Sequence, residues 1–548
     1  MHPPFGLRSK SVWTYLAFAA IGWAIAFAVE AKAADTPLPA TESAAIERAA
    51  DFERSRQWVE AIGLYEKALK QWPENPQLKY GLRRTRIQFS VDRRYADRSY
   101  TDGLTTVSMD DALVFLDDAL LKVRKYYVDA ISPTAFIAHG TESLYIALAN
   151  EKFIAKNAST VSPRTVTAFR AMLRDRYWNK PCGSTEEARA VVTEVARMAY
   201  SELRITPGAT VMEYVFGGCN ALDEYSSFLT PGRLDDLYNN IEGEFVGIGI
   251  EMKAEAGKGM LLINVLADSP AEEGGAAPGD FIVAIDGVNC LNMSTEEAAQ
   301  HLQGAPDSRV RLDLRNPRTE QIRQAELKRR AVKVKSIPIV RIVDPVNGIG
   351  YIKMTGFQKN SAAELDAALV ELRSQGMKAL IWDLRGNPGG LLTAAVEVLD
   401  RFLDDGMIVS TKGRTQDQNW SYTATKGNDW NVPLAILVDG DSASASEIVA
   451  GAIHDHGRGV LVGRKTYGKW SVQSILPGRS STGLRLTTAK FYSPNGNTYG
   501  KIGVEPDVAV AASEEQFTGY RGLRNENPED DQDLAAGMNS LRRQLARR

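Results

Sequence analysis

Three stretches of the chain differ in the spacing of their apolar residues. Up to about residue 235 these residues recur every three to four positions, as in the stripe from Ala112 to Val123, which predicts amphipathic helices. From Gly243 to about residue 330, short apolar runs are separated by turns rich in glycine and proline, which predicts a β-rich unit. Beyond residue 331, apolar strands alternate with helices, which predicts a mostly parallel, buried sheet. The fold class is therefore multidomain α+β.

The same pattern divides the chain into six segments. We predict a signal peptide or membrane anchor at 1–33, a helical hairpin at 40–95, a helical N-terminal region at 100–235, a β-rich domain at 238–330, an α/β core at 331–511 and a polar tail at 512–548. The tail is expected to be disordered or only loosely docked because it is polar and charged.

The first residues have the pattern of an export signal. Arg8 and Lys10 precede an apolar run at 12–29, and Ala31-Lys32-Ala33 fits an A-x-A cleavage site. The run is long for the core of a cleaved signal and short for a spanning helix. Both a cleaved signal and a retained anchor thus stay open, and either places the protein in the periplasm or cell envelope.

Composition narrows the classes of partner. A formal net charge of −3 over 548 residues gives no sign of nucleic-acid binding. The three cysteines, Cys182, Cys219 and Cys290, lie far apart and show no metal-ligand spacing. One disulfide stays open for an exported protein.

Candidate chemistry lies in the last domain. An apolar strand, Leu434 to Val438, leads into Ser-Ala-Ser-Ala-Ser at 442–446 and then a helix. A serine at a helix start lies beside unpaired N–H groups that can hold an oxyanion, but it can equally be a simple helix cap with Glu447. The loop at 386–390 follows another strand, and sites in parallel α/β sheets gather at such strand ends.

A nucleophilic serine needs a base. His454 and His456 lie late on the helix that the serines begin, about 15 Å along its axis, and residues two apart do not share a helix face. This argues against both a Ser–His pair and a metal site. Lys469 lies between glycine and aromatic residues after the next strand, and burial could lower its pKa enough for it to act as a base.

Two segments resemble known binding modules. WVEAIGLYEKALKQWPENP is similar to one tetratricopeptide repeat, although a helical hairpin docked on the body explains it equally well. Residues 238–330 resemble a PDZ domain: Ser269-Pro270, Pro278-Gly279-Asp280 and Ile285-Asp286-Gly287 match its turns. The resemblance implies that Gly247, Ile248, Gly249 and Ile250 hold the carboxylate of a substrate tail, which adds as a strand to the sheet edge.

PDZ followed by DLRGNPGG, SASASE and G-K-x-S-V-Q resembles the carboxyl-terminal processing peptidases, over roughly residues 200–510. The resemblance implies a crotonase/ClpP-like serine protease core and the following site. Ser444 is the nucleophile, Lys469 the base and Gln473 the residue that orients the lysine. The oxyanion hole maps to Ala445 and Gly386. The family's N-terminal helices can mediate dimerisation, and no metal or cofactor is implied.

The expected function is an exported serine endopeptidase that cleaves proteins with free C-terminal tails, guided by its PDZ domain. Trp470 and Asp441 stand where the family usually has glycine, so a catalytically inactive PDZ and helical-repeat scaffold is the alternative. A crotonase-type acyl-CoA enzyme is a further rival because that fold is related, but an export signal and a PDZ domain count against it.

Overall fold

The computed structural model describes residues 17–18, 38–255, 257–293, 295–427, 430–511 and 531–547. The α-helices are α1 (Glu42–Arg54), α2 (Trp58–Gln71), α3 (Pro76–Ala96), α4 (Met109–Tyr126), α5 (Pro133–Ala147), α6 (Glu151–Asn157), α7 (Pro163–Arg176), α8 (Thr185–Leu203), α9 (Pro207–Cys219), α10 (Pro231–Glu242), α11 (Pro270–Glu273), α12 (Thr295–Leu302), α13 (Ser361–Ser374), α14 (Leu392–Leu399), α15 (Ala445–Asp455) and α16 (Gln532–Leu545). Ser99–Leu104 forms a π-helix and Gln416–Gln418 a 3₁₀-helix.

The strands of the described residues form four sheets. They are β1 (Ala17–Phe18), β2 (Ser227–Leu229), β3 (Glu244–Gly247), β4 (Ile250–Glu255), β5 (Gly259–Val265), β6 (Phe281–Ile285), β7 (Val288–Asn289), β8 (Arg309–Arg315), β9 (Ile322–Lys328), β10 (Arg330–Lys333), β11 (Ile339–Asp344), β12 (Ile349–Lys353), β13 (Ala379–Asp383), β14 (Met407–Gly413), β15 (Ser421–Thr423), β16 (Leu434–Val438), β17 (Val460–Gly463), β18 (Ser471–Pro477), β19 (Gly483–Tyr492) and β20 (Val508–Ala509).

The region up to α10 is helical, as the apolar spacing predicts. Ser108, Ser132, Ser162, Ser184 and Thr206 cap five of its helices by accepting a backbone N–H. The predicted stripe on α4 is buried in a common core with α5, α8 and α9. Phe228, Leu484 and Leu486 belong to that same core, so the helical region packs directly on strands β2 and β19.

The β-rich unit is a five-stranded antiparallel sheet in the order β4-β5-β6-β8-β9, with β7 attached to β6. Its two chain connections, β3 and β10, pair with each other as a separate antiparallel ribbon, with Gly247 opposite Arg330. β4 therefore lies at the sheet edge, and α12 packs beside it, with Ala254 N–H donating to Thr295 Oγ1 (3.0 Å).

The last domain contains the predicted parallel sheet and a second, antiparallel sheet. The first has the order β11-β12-β13-β16-β17-β20 and is parallel from β12 onward. Asp383 pairs with Leu437, so the two candidate loops leave adjacent strands at the same edge. The second sheet, β1-β18-β19-β14-β15 with β2 on β19, carries Gln473 on β18.

The expectation of a disordered or loosely docked tail is wrong for residues 532–545. These residues form α16, whose Leu534, Met538 and Leu541 are buried against the parallel sheet. Apolar side chains at i, i+4 and i+7 provide this face. Asp533 forms ion pairs with Arg385 and Arg464, and Arg542 forms one with Asp344.

Two expectations concern the amino-terminal end. Apart from Ala17–Phe18, the signal or anchor segment lies outside the described residues. Among the residues that are described, none of the helices is both long enough and apolar enough to cross a membrane. The repeat-like hairpin is present as α1 and α2, and α3 packs against both, so its apolar face is covered. Cys182, Cys219 and Cys290 are buried and free, so the disulfide that composition left open is not formed.

Candidate active site

Ser444 lies at the junction between β16 and α15, in a backbone conformation that side chains seldom adopt. Its φ is 55° and its ψ is −109°. Positive φ in a non-glycine residue is costly and collects at functional sites. Ser444 is buried, and its Oγ has no hydrogen-bond partner among the described residues.

The other two serines of the run have structural partners. Ser442 Oγ donates toward the carbonyl of Leu384 (2.9 Å) and accepts from Asp439 N–H (3.0 Å). Ser446 Oγ donates to the carbonyl of Asn387 (2.8 Å). Both hydroxyls therefore attach the start of α15 to the segment 384–387 that follows β13, and only Ser444 of the three has a hydroxyl left for chemistry.

The buried Glu447 carboxylate connects the serine and lysine segments. Oε2 accepts the backbone N–H of Ser444 (2.8 Å) and of Lys469 (2.7 Å). Oε1 accepts Gly468 N–H and Thr466 Oγ1, both at 2.7 Å. Burial raises the pKa of Glu447, while its four donors oppose that rise. The S-x-x-E spacing predicts the bond to Ser444, but nothing local predicts the bonds to the lysine loop.

Lys469 is buried beside the aromatic ring of Tyr225, with Nζ 4.5 Å from the ring centroid. Its pKa is lowered from 10.5 to about 7, mainly by desolvation and secondly by the nearby Arg485 cation, against the opposing effect of Asp223, Glu447 and Glu224. About half of the lysine is then neutral at pH 7, which is the form that can accept a proton.

Gln473 lies on β18 with a defined amide orientation. Its Nε2 donates to Ser471 Oγ (3.0 Å) and Thr487 Oγ1 (3.1 Å). Its Oε1 is buried and has no partner within the described chain. The unpaired atom is an acceptor, the kind of group that could orient a lysine.

The two residues expected to form the oxyanion hole differ in the partners of their backbone N–H groups. Ala445 N–H has no hydrogen-bond acceptor among the residues described, and it lies at the positive end of α15. Gly386 N–H instead donates to Asp439 Oδ1 (2.9 Å), so it is not free to hold an oxyanion here, and this expectation is wrong for the present structure. Gly389 approaches closely: a side-chain carbon there would lie 2.9 Å from Ser444 Cβ and from Ala445 N.

The two departures from the family pattern lie outside this arrangement. Trp470 is buried away from the lysine, against Tyr499 (ring centroids 4.8 Å apart) and Phe491. Asp441 is half-buried, and its backbone N–H donates to Asp439 Oδ1 (3.1 Å). The carboxylates that act most strongly on Lys469 are those of Asp223, Glu447 and Glu224.

The predicted tail-binding residues form the turn between β3 and β4. The carbonyl of Ile248 accepts Ala271 N–H and that of Gly249 accepts Leu266 N–H, both at 2.9 Å. Gly249 has φ +80°, and a side-chain carbon there would collide with Ser269. Gly247 ends β3 and Ile250 begins the edge strand β4. The turn thus leads straight into an open strand edge.

Comparison with known proteins agrees with this architecture. The family model described as peptidase family S41 matches residues 348–510, and that of the PDZ domain matches residues 263–316. A carboxy-terminal-processing protease of Bartonella bacilliformis is 36% identical over 307 residues, which cover 55% of this chain and 69% of the relative. The chain belongs to the carboxyl-terminal-processing proteases of peptidase family S41.

Two further comparisons concern this protease. A carboxyl-terminal-processing protease of Synechocystis is 33% identical over 344 residues, or 62% of this chain and 74% of the relative. The solved structure titled photosystem II D1 C-terminal processing protease is 26% identical and has a TM-score of 0.39, covering 73% of this chain and 92% of that one. The family models and the two relatives make this chain a serine protease with a PDZ domain, as its sequence motifs predict.

Proposed function

We propose that the protease is an exported endopeptidase that uses a Ser444–Lys469 dyad to cleave proteins near or from their C-terminal tails. The observation that carries this proposal is the state of the two side chains. Ser444 has the unpaired hydroxyl of its run, and Lys469 has a pKa of about 7 in a buried loop that Glu447 ties to the serine.

The dyad would work by proton transfer between the Ser444 hydroxyl and the Lys469 amine. Neutral Lys469 Nζ accepts the Ser444 hydroxyl proton while Oγ forms a bond to the scissile carbonyl carbon. Ala445 N–H stabilises the oxyanion of the tetrahedral intermediate. The lysine ammonium then gives its proton to the leaving amine, the peptide bond breaks, and the acyl-enzyme ester remains. Water attacks that ester while it loses a proton to Lys469, and the lysine gives this proton to Ser444 Oγ as the ester bond breaks, which releases the carboxylic acid and restores both side chains.

The PDZ domain would supply the preference for tails. The Gly247–Ile250 turn leads into β4, whose edge is open for an added strand beside α12. A peptide with a free carboxylate pairs along β4 while backbone N–H groups of the turn hold its terminus. Substrates are then proteins whose C-terminal tail is accessible and extended.

Location and assembly follow from the amino-terminal half. The segment at 12–29 directs export to the periplasm or cell envelope, as a cleaved signal or a retained anchor. The helical region before residue 235 offers a surface for homodimer formation. The proposed chemistry uses side chains and backbone groups alone.

A reporter protein with an unfolded tail tests this function. The purified protease should cleave a reporter with a free C-terminal carboxylate faster than the same reporter with an amidated tail. Ser444→Ala and Lys469→Ala should each abolish cleavage, while Ser446→Ala, which removes a structural hydroxyl from the same run, should retain it. Undiminished cleavage by Ser444→Ala would exclude the dyad, and equal rates on the two tails would exclude the role given to the PDZ turn.

A further inference from the structure

A chain of hydrogen bonds joins the helical region to Gln473. Thr487 Oγ1 lies 2.5 Å from Asp223 Oδ2 and 3.1 Å from Gln473 Nε2. Asp223 lies in the segment that follows α9, while Thr487 is on β19, opposite Gln473 in the sheet register. Thr487 thus contacts both the Asp223 carboxylate and the Gln473 amide.

The chemistry of Asp223, Thr487 and Gln473 determines which group donates and which accepts in each of these hydrogen bonds. An aspartate carboxylate only accepts, so the Thr487 hydroxyl must donate to Asp223. That hydroxyl has one proton, so toward Gln473 the Thr487 oxygen can only accept. The Gln473 group that faces it must then be the amide NH₂, whose second proton goes to Ser471 Oγ (3.0 Å). Oε1 is left on the opposite side of the amide.

Asp223 is itself held on several sides. Its second oxygen, Oδ1, accepts the hydroxyl of Ser226 (2.7 Å), and Ser226 Oγ accepts Thr487 N–H (3.0 Å). The backbone N–H of Asp223 donates to the hydroxyl of Tyr127 (2.8 Å). Both the N–H and the O–H of Thr487 are therefore bound by one turn of the helical region.

We infer that Asp223 is a positioning residue that, through the Thr487 hydroxyl, holds the Gln473 amide so that Oε1 faces the lysine base. This rests on the proposed roles of Lys469 and Gln473. An amide that rotated by half a turn would present NH₂ to Lys469, and a donor there repels a lysine ammonium instead of orienting it. The segment around Asp223 thereby completes the active site, although it lies outside the matched peptidase region at 348–510.

Substitutions on one strand separate this role from general stability. Thr487→Val removes the hydroxyl and should lower kcat about ten- to a hundredfold with KM nearly unchanged, because a misplaced functional group costs rate and not ground-state binding. Thr487→Ser keeps the hydroxyl and should stay within about threefold. Thr488→Val is the matched control: it also removes a buried hydroxyl, one bonded to Ser474 Oγ at 2.7 Å, but does not touch Gln473.

Rates are measured on a tailed reporter protein and divided by the concentration of active sites, so that a partly unfolded variant is not mistaken for a slow one. In a double-mutant cycle, Thr487→Val should cause no further loss once Gln473→Ala is present, because it acts through that side chain. Asp223→Asn, which can donate to Thr487 and reverse these hydrogen bonds, should lose at least as much rate as Thr487→Val, and it should also shift the pH profile because it removes a carboxylate that raises the pKa of Lys469.

Two results would overturn the inference. One is a cleavage rate of Thr487→Val equal to that of Thr488→Val while Gln473→Ala cleaves more slowly. The roles of the dyad and of Gln473 would then be retained, and the positioning role of Asp223 would be excluded. The other is full activity of Gln473→Ala, which removes the role of Gln473 and this inference together. Loss of cleavage in Ser444→Ala would still support the peptidase assignment in both cases.

Discussion

Replacing Lys469 by methionine should make the protease more stable while it abolishes activity. The ammonium group is buried, and its desolvation is the largest cause of the low pKa. Methionine has a similar length and no charge, so it fills the same space without the cost of burying a cation. A buried group that is required for catalysis is thus expected to lower the free energy of unfolding.

The magnitude follows from the pKa. A fall from 10.5 to about 7 corresponds to about 5 kcal/mol, at about 1.4 kcal/mol per pKa unit. Below pH 7 the lysine is protonated in both folded and unfolded chains, and the full penalty is present. Between pH 7 and 10.5 the unfolded chain binds a proton that the folded chain does not, so stability rises with pH. Above 10.5 both forms are neutral and the penalty is gone.

Urea unfolding of Ser444→Ala and Ser444→Ala/Lys469→Met measures this difference without self-cleavage. Near pH 6 the methionine variant should be about 2–5 kcal/mol more stable in the transition of the protease core, and the gap should shrink steadily toward pH 10. Groups remote from Lys469 titrate equally in both proteins and cancel. A methionine variant that is less stable near pH 6, or a gap that does not change with pH, would refute the reasoning.

Three further substitutions test the site's surroundings. Ser442→Ala should keep activity within about threefold and lower the free energy of unfolding by about 1 kcal/mol in urea, because a buried hydroxyl bond is lost; abolished cleavage would contradict this. Trp470→Gly should lower the unfolding free energy by about 3–5 kcal/mol and should not raise kcat/KM; a stable and faster variant would argue otherwise. Asp533→Asn, which leaves Arg385 and Arg464 without their shared carboxylate, should cost about 2–4 kcal/mol, and an unchanged urea midpoint would speak against it.

The sequence predicted the parts of the site that lie at strand ends. Apolar runs marked β13 and β16, and their pairing in one parallel sheet brought the 386–390 loop beside Ser444. It could not predict that Gly386 N–H is bonded to Asp439, because that depends on how two loops settle against each other. Among the three serines, hydrogen bonding and not spacing separates Ser444 from its neighbours.

Long-range contacts account for most of what the sequence did not predict. Asp223 and Thr487 are 264 residues apart, and no local periodicity reports such a pair. The antiparallel sheet combines β2 with strands from the end of the core, so the sequence near β2 or near β19 does not by itself predict that the two strands pair. For α16 a signal was present in the spacing of Leu534, Met538 and Leu541, but the acidic residues before this stretch and the arginines after it made the segment resemble a solvent-exposed tail.

The tryptophan that follows the lysine shows how the protease accommodates a departure from its family pattern. A side-chain carbon at position 451 would lie 2.9 Å from Trp470 Cη2, so glycine at this position of α15 provides the room for the indole. The ring packs on Tyr499 and Phe491, while Glu447, on the same helix, holds the Lys469 backbone N–H. The lysine is thus fixed on one side by a hydrogen bond and on the other by a buried ring. Trp470, which stands where the family usually has glycine, therefore does not block the base but holds the backbone that carries Lys469.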